Sequence, residues 1–125
     1  MSQGTLYRHF PKRVDLFAEV YRDQVHELTA AAPVLLAEHE PLVALSLWLN
    51  RMAIYARINR DFVDAVDPAA LTTLLDAAKA RGDVRADVGA RDVALLIGYL
   101  ARLDAREWGV RAPRLLQVIV DGLRR

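Results

Sequence analysis

The sequence predicts an all-α protein. Apolar residues recur at three- and four-residue steps through most of its 125 positions, and no segment shows the two-residue alternation of a half-buried strand. Proline and glycine fall where helices of that period would start and stop.

Taken in order, Val14, Phe17, Tyr21, Val25 and Leu28 mark a helix over residues 12–30, with Pro11 suited to its first turn because the missing N–H is not needed there. Pro33 and Pro41 bracket PVLLAEHE, which has room for a further turn of helix. The segment PLVALSLWLNRMAIYARI is apolar around most of its circumference and predicts a long central helix. Asp67-Pro68 reads as an N-cap followed by proline at the first helical position, Leu71, Leu74, Leu75 and Ala78 form an inner face, and Gly82 ends the turn. GDVRADVG is a polar connector. Val93, Leu96, Ile97, Leu100 and Leu103 mark the next helix, and Leu115, Leu116, Ile119, Val120 and Leu123 a last one starting near Pro113. No repeat or low-complexity tract divides the chain.

Composition bounds the possible functions. Hydrophobic residues make up 54% and charged residues 26%, the balance of a single globular domain. There is no cysteine, which excludes disulfides, thiolate chemistry and sulfur-ligated zinc. No apolar run reaches the roughly 20 residues of a membrane span and no signal-peptide pattern opens the chain, so the expected location is cytoplasmic, without membrane association. The net charge of +1 hides an asymmetry: up to Arg13 there are three basic residues and His9 but no acid, while the rest of the chain is slightly acidic. A basic cluster of this kind attracts phosphates or is simply a solvated surface.

That cluster lies in SQGTLYRHFPKR, residues 2–13. Ser2 can cap a helix from about Gln3 to His9, and Pro11 disfavours helical geometry at Phe10. A helix so short cannot hold itself together in water and must lean on neighbours through Leu6 and Phe10. Gln3, Thr5, Tyr7, Arg8 and His9 then face outward or sideways.

The stretch Gly4-Thr5-Leu6-Tyr7-Arg8-His9-Phe10-Pro11, followed by Lys12 and then Leu16-Phe17, resembles the end of the helix-turn-helix of the tetracycline-repressor (TetR) family of bacterial transcription regulators. The resemblance implies a recognition helix and turn in residues 1–11, the remnant of a DNA-binding domain, and a helical ligand-binding and dimerisation domain over 12–125. It implies operator DNA, a hydrophobic small-molecule effector and a second copy of the chain as partners, and no cofactor. Gln3 and Thr5 sit where short polar side chains reach base edges, Gln pairing with adenine and Thr touching a thymine methyl. Tyr7, His9 and Lys12 match the family's phosphate-contacting positions; packing of Tyr7 under the domain and a plain surface role for His9 are the alternatives. The last two helices resemble those that pair with their symmetry mates in a four-helix interface, which assigns Val93, Leu96, Ile97, Leu100, Leu115, Leu116, Ile119, Val120 and Leu123 to dimerisation.

Family members carry further helices before the position of Met1. Without that support the recognition helix is expected to fray, and the 125-residue chain to bind operator DNA poorly or not at all. Either the start lies inside a longer gene, a GTG valine codon being read as methionine, or the chain is a headless module that dimerises and binds a ligand.

On the central helix Trp48, Met52 and Tyr55 share a face and, with Phe62, Leu74 and Leu75, either line an apolar effector cavity or form plain core. Trp108 stands in an EWGV turn at the expected dimer edge. Catalysis has no support. His9, His26 and His39 do not share a helix face with a carboxylate between them, and no phosphate loop or Gly-x-Ser-x-Gly elbow occurs. His39 beside Glu38 and Glu40 reads as a solvated loop more readily than as a metal site.

Overall fold

A computed structural model describes residues 13–59 and 61–125, with side chains from Ala18 onward. The expected recognition helix, and with it Gln3, Thr5, Tyr7, His9 and Lys12, lies outside the described residues. Among the described residues six helices follow one another: α1 Arg13–Glu38, α2 Pro41–Ile58, α3 Phe62–Ala65, α4 Pro68–Ala80, α5 Ala90–Leu100 and α6 Ala105–Leu123. The fold is all-α, and among the described residues the one sheet-like contact is an isolated antiparallel bridge between Val84 and Arg124.

Helix α2 is the axis, in contact with every other helix. It buries Ala44, Leu45, Trp48, Leu49, Met52, Ala53 and Ala56. Against them α1 packs Leu28, Ala31, Ala32 and Leu35, α4 packs Leu71, Leu74, Leu75 and Ala78, and α5 adds Val93, Ile97 and Leu100. Burying each of the large side chains contributes about 1.5–3 kcal/mol. The Trp48 indole Nε1 donates to the Leu28 carbonyl at 2.9 Å, which satisfies the one polar atom of the largest core side chain and ties α2 to α1.

Three boundaries differ from the sequence reading, the first being that of α5, which ends at Leu100 and leaves Leu103 in the turn beyond it. Helix α1 does not stop near residue 30 but runs through Pro33 to Glu38. Pro33 points to solvent and forfeits one backbone bond there, while Ala31, Ala32 and Leu35 on either side are buried against the core and hold the helix on course. Helix α6 starts not near Pro113 but at Ala105, where the Asp104 carboxylate accepts the Glu107 N–H at 2.8 Å. Pro113 stands inside this helix and Trp108 in its first turns rather than in a loop.

The ends of α4 follow the sequence signals. Asp67 Oδ1 accepts the Ala69 N–H at 2.9 Å ahead of Pro68. At the other end Gly82, with φ of 85°, lets its own N–H reach the Lys79 carbonyl (2.9 Å) and the Asp83 N–H reach that of Ala78 (3.0 Å), the paired bonds of a Schellman ending. The connector after it is pinned by the C-terminus: the Arg85 N–H donates to the Leu123 carbonyl and the Arg125 N–H to that of Asp83, with Val84 buried between.

Candidate functional site

The short helix α3 is one turn long and cannot bury a face by itself. It is held by Phe62, fully buried, whose ring meets Tyr21 of α1 edge-on at 5.7 Å and Tyr55 of α2 at 5.2 Å. This anchoring leaves Val63 and Asp64 facing α5.

Between these elements lies an apolar cavity of about 200 Å³. Its floor is Trp48 and Met52 of α2 with Leu71 of α4, and Val63, Asp64, Val66, Asp67, Pro68, Ala90, Arg91 and Ala94 complete the wall. A second, outer cleft of about 430 Å³ runs along α5 past Asp61, Leu95, Gly98, Tyr99 and Arg102. Val63, Asp64, Arg91 and Ala94 line both. At this boundary Arg91 Nη1 donates to Asp64 Oδ1 at 3.5 Å. Asp61 and Asp64 also bear on Tyr21, whose phenol is pushed above its usual value first by burial and then by these two negative charges.

Of the six residues expected at an effector cavity, Trp48 and Met52 line it. Tyr55 is half-buried in the aromatic group with Phe62, and Leu74 and Leu75 lie on the inner face of α4 in the core, away from the cavity wall. Sequence reasoning missed the contributions of α3 and α5. Neither has a helical-period signal for it, since Ala90, Arg91 and Ala94 sit at the edge of α5's buried face.

The residues expected at a dimer interface divide. Leu96 and Leu115 are exposed, and Leu116 and Ile119 half-buried. Val93, Ile97, Leu100, Val120 and Leu123 are buried in this chain's own core and present no surface to a partner. On α5 and α6 the exposed large apolar residues not singled out from sequence are Leu95, Tyr99, Val110 and Val118, the last 60% exposed on the same face of α6 as Leu115. Trp108 is half-buried with the Arg57 guanidinium 5.1 Å above its ring, joining α6 to the end of α2.

Among the described residues no group of three or more His, Asp or Glu is placed to hold a metal ion, and no helix is long and apolar enough to cross a membrane. His39 is exposed at the α1–α2 turn, where the neighbouring Glu40 pairs with Arg81.

Residues 65–125 match the model of the C-terminal domain of SbtR-like transcriptional regulators. The crystal structure of the TetR transcriptional regulator SCO0520 from Streptomyces coelicolor superposes with a TM-score of 0.83 at 34% identity, over 99% of this chain and 81% of that one. The chain belongs to the TetR family of transcriptional regulators. A second TetR regulator, from Mycobacterium vanbaalenii, is 31% identical with a TM-score of 0.69, over 98% of this chain and 75% of that one. No protein of curated function matches. Membership of the TetR family accounts for the helical architecture, and the relatives are regulators of transcription.

Proposed function

We propose that this chain is the sensor and dimerisation part of a ligand-responsive TetR repressor, in which a hydrophobic effector in the α2–α5 cavity controls DNA reading by the stretch before α1. One observation carries the reading: Trp48 lines the cavity and is bonded to the backbone of α1 at Leu28. A guest that displaces the indole pulls on α1, and α1 begins directly after Gln3, Thr5, Tyr7, His9 and Lys12. Two copies, paired through the exposed apolar faces of α5 and α6, set two recognition helices about one DNA turn, ~34 Å, apart. A ligand preferring another separation releases DNA by shifting the population. Residues 1–11 belong to the DNA-reading unit and 12–125 to the sensor.

Gel-shift selection from a random-sequence duplex pool tests this, using the 125-residue chain and an extended form carrying the helices that precede this point in the family. Binding by the extended form, relieved by a hydrophobic effector, is the expected result, with Lys12→Ala weakening all sequences alike and flattening the salt dependence. Binding by neither form overturns the repressor reading in favour of a dimerising module that does not touch DNA.

A further inference from the structure

We propose that the Asp64–Arg91 ion pair is a latch over the inner cavity, and that the guest behind it is a single uncharged molecule the size of one substituted aromatic ring. The inference rests on the reading of this cavity as the effector site.

The latch follows from position. Asp64 and Arg91 come from α3 and α5, are 27 residues apart in sequence, and belong to the small set of side chains common to the inner cavity and the outer cleft. The cavity, which is itself partly open, therefore adjoins the cleft along their contact. Both side chains are more than 70% exposed, and an ion pair so solvated opens easily and is screened by salt. The α3 side of the boundary is one helical turn anchored by Phe62 and by Val66 at its end, while α5 is a longer helix fixed by the buried Val93, Ile97 and Leu100, so the α3 side is the one that yields.

The guest's class follows from what the cavity lacks. Its floor is Trp48, Met52 and Leu71, and the single floor donor, the indole N–H, is already committed to the Leu28 carbonyl. At the rim Asp64 and Arg91 neutralise each other, and Asp67 accepts from the Ala69 N–H as a helix cap. An anionic guest would give up its hydration and meet only the remaining negative charge of Asp67, and a cation would meet at the rim only a carboxylate already engaged at a helix end, whereas an apolar ring gives up only unfavourable contact with water. In volume, a cavity of roughly 150 Å³ lined by aliphatic side chains admits benzene. About 200 Å³ leaves room for a ring with a small substituent.

The test titrates the purified chain with toluene, benzoate and benzylammonium by calorimetry and follows entry and release by stopped-flow tryptophan fluorescence. Toluene is expected to bind once per chain, the two ions at least about tenfold more weakly, and Ala94→Leu to abolish toluene binding by filling the cavity. Val63→Phe serves the same purpose if Ala94→Leu melts early. Asp64→Asn and Arg91→Gln should each speed toluene entry and release by about two- to fivefold, with the exchanged pair Asp64→Arg/Arg91→Asp restoring the slower rates. Unchanged rates in the single variants overturn the latch. An ion that binds as tightly as toluene, and is lost on filling the cavity, overturns the uncharged class and leaves the effector site standing. Toluene bound equally by wild type and filled variant, or no binding of any probe, overturns the inference as a whole; effector relief of DNA binding by the extended form then decides the repressor reading independently.

Discussion

Trp48 carries three duties that a smaller side chain could not combine. Its ring fills the space between α1 and α2, its N–H closes a buried hydrogen bond across them, and one edge remains in the cavity wall. Its place on the inner face of α2 was readable from spacing alone. Its partner was not, because the Leu28 carbonyl is 20 residues away and is supplied by packing. Tyr21 offers a test at the same scale. Burial and the charges of Asp61 and Asp64 favour its neutral phenol in the folded chain, so its folded pKa lies above the unfolded value of about 10. That contribution to stability is complete below the unfolded value and is lost as pH rises through the folded one. Urea melts at pH 9 and pH 11 should therefore show a smaller alkaline loss in Tyr21→Phe than in wild type. An identical loss would contradict the assignment.

At the scale of the element, α1 and α6 both contain a proline that local rules place at a boundary. Pro33 and Pro113 are exposed, so the bond each removes lies on the solvent side, and burial of Ala32 and Leu35 in one helix and Ala112 in the other outweighs it. The signal for the true start of α6 was present in the sequence as Asp104 with Glu107 three residues on, and was masked by the more conspicuous proline. Asp104→Ala should cost about 1 kcal/mol in denaturant unfolding, the usual contribution of an N-cap carboxylate. A change indistinguishable from zero would mean that packing alone, through Trp108 and Ala112, defines the start of the helix.

For the whole molecule, the division of α5 and α6 into inward and outward residues bears on the proposed pairing of two copies, because only outward residues are open to a partner. Val118 and Leu115 lie on the outward face, whereas Val120 and Leu123 close the chain's own core. Val118→Glu is expected to shift sedimentation from dimer to monomer with helicity unchanged, and Val120→Glu to unfold the chain by burying a carboxylate without a partner. A dimer that survives Val118→Glu would move the interface off this face. The same division explains why the residues expected at an interface fall partly inside the core. Helical period reports that a side chain faces something apolar, and a helix flanked by core on one side and a partner on the other carries two such faces.

By itself the sequence determined the helical class, the order of the long helices though not the short α3, the two capped ends of α4, and the family, through the octet from Gly4 to Pro11. These are local properties, set by periodicity, by caps, and by a motif whose residues are adjacent in the chain. Only the tertiary structure decided that α1 and α6 continue through their prolines, that Tyr55, Leu74 and Leu75 pack in or against the core rather than in the cavity lining, and that Asp64 meets Arg91 at the cavity's edge. Each depends on contacts between segments far apart in sequence, where the free energy of packing outweighs what neighbouring residues prefer.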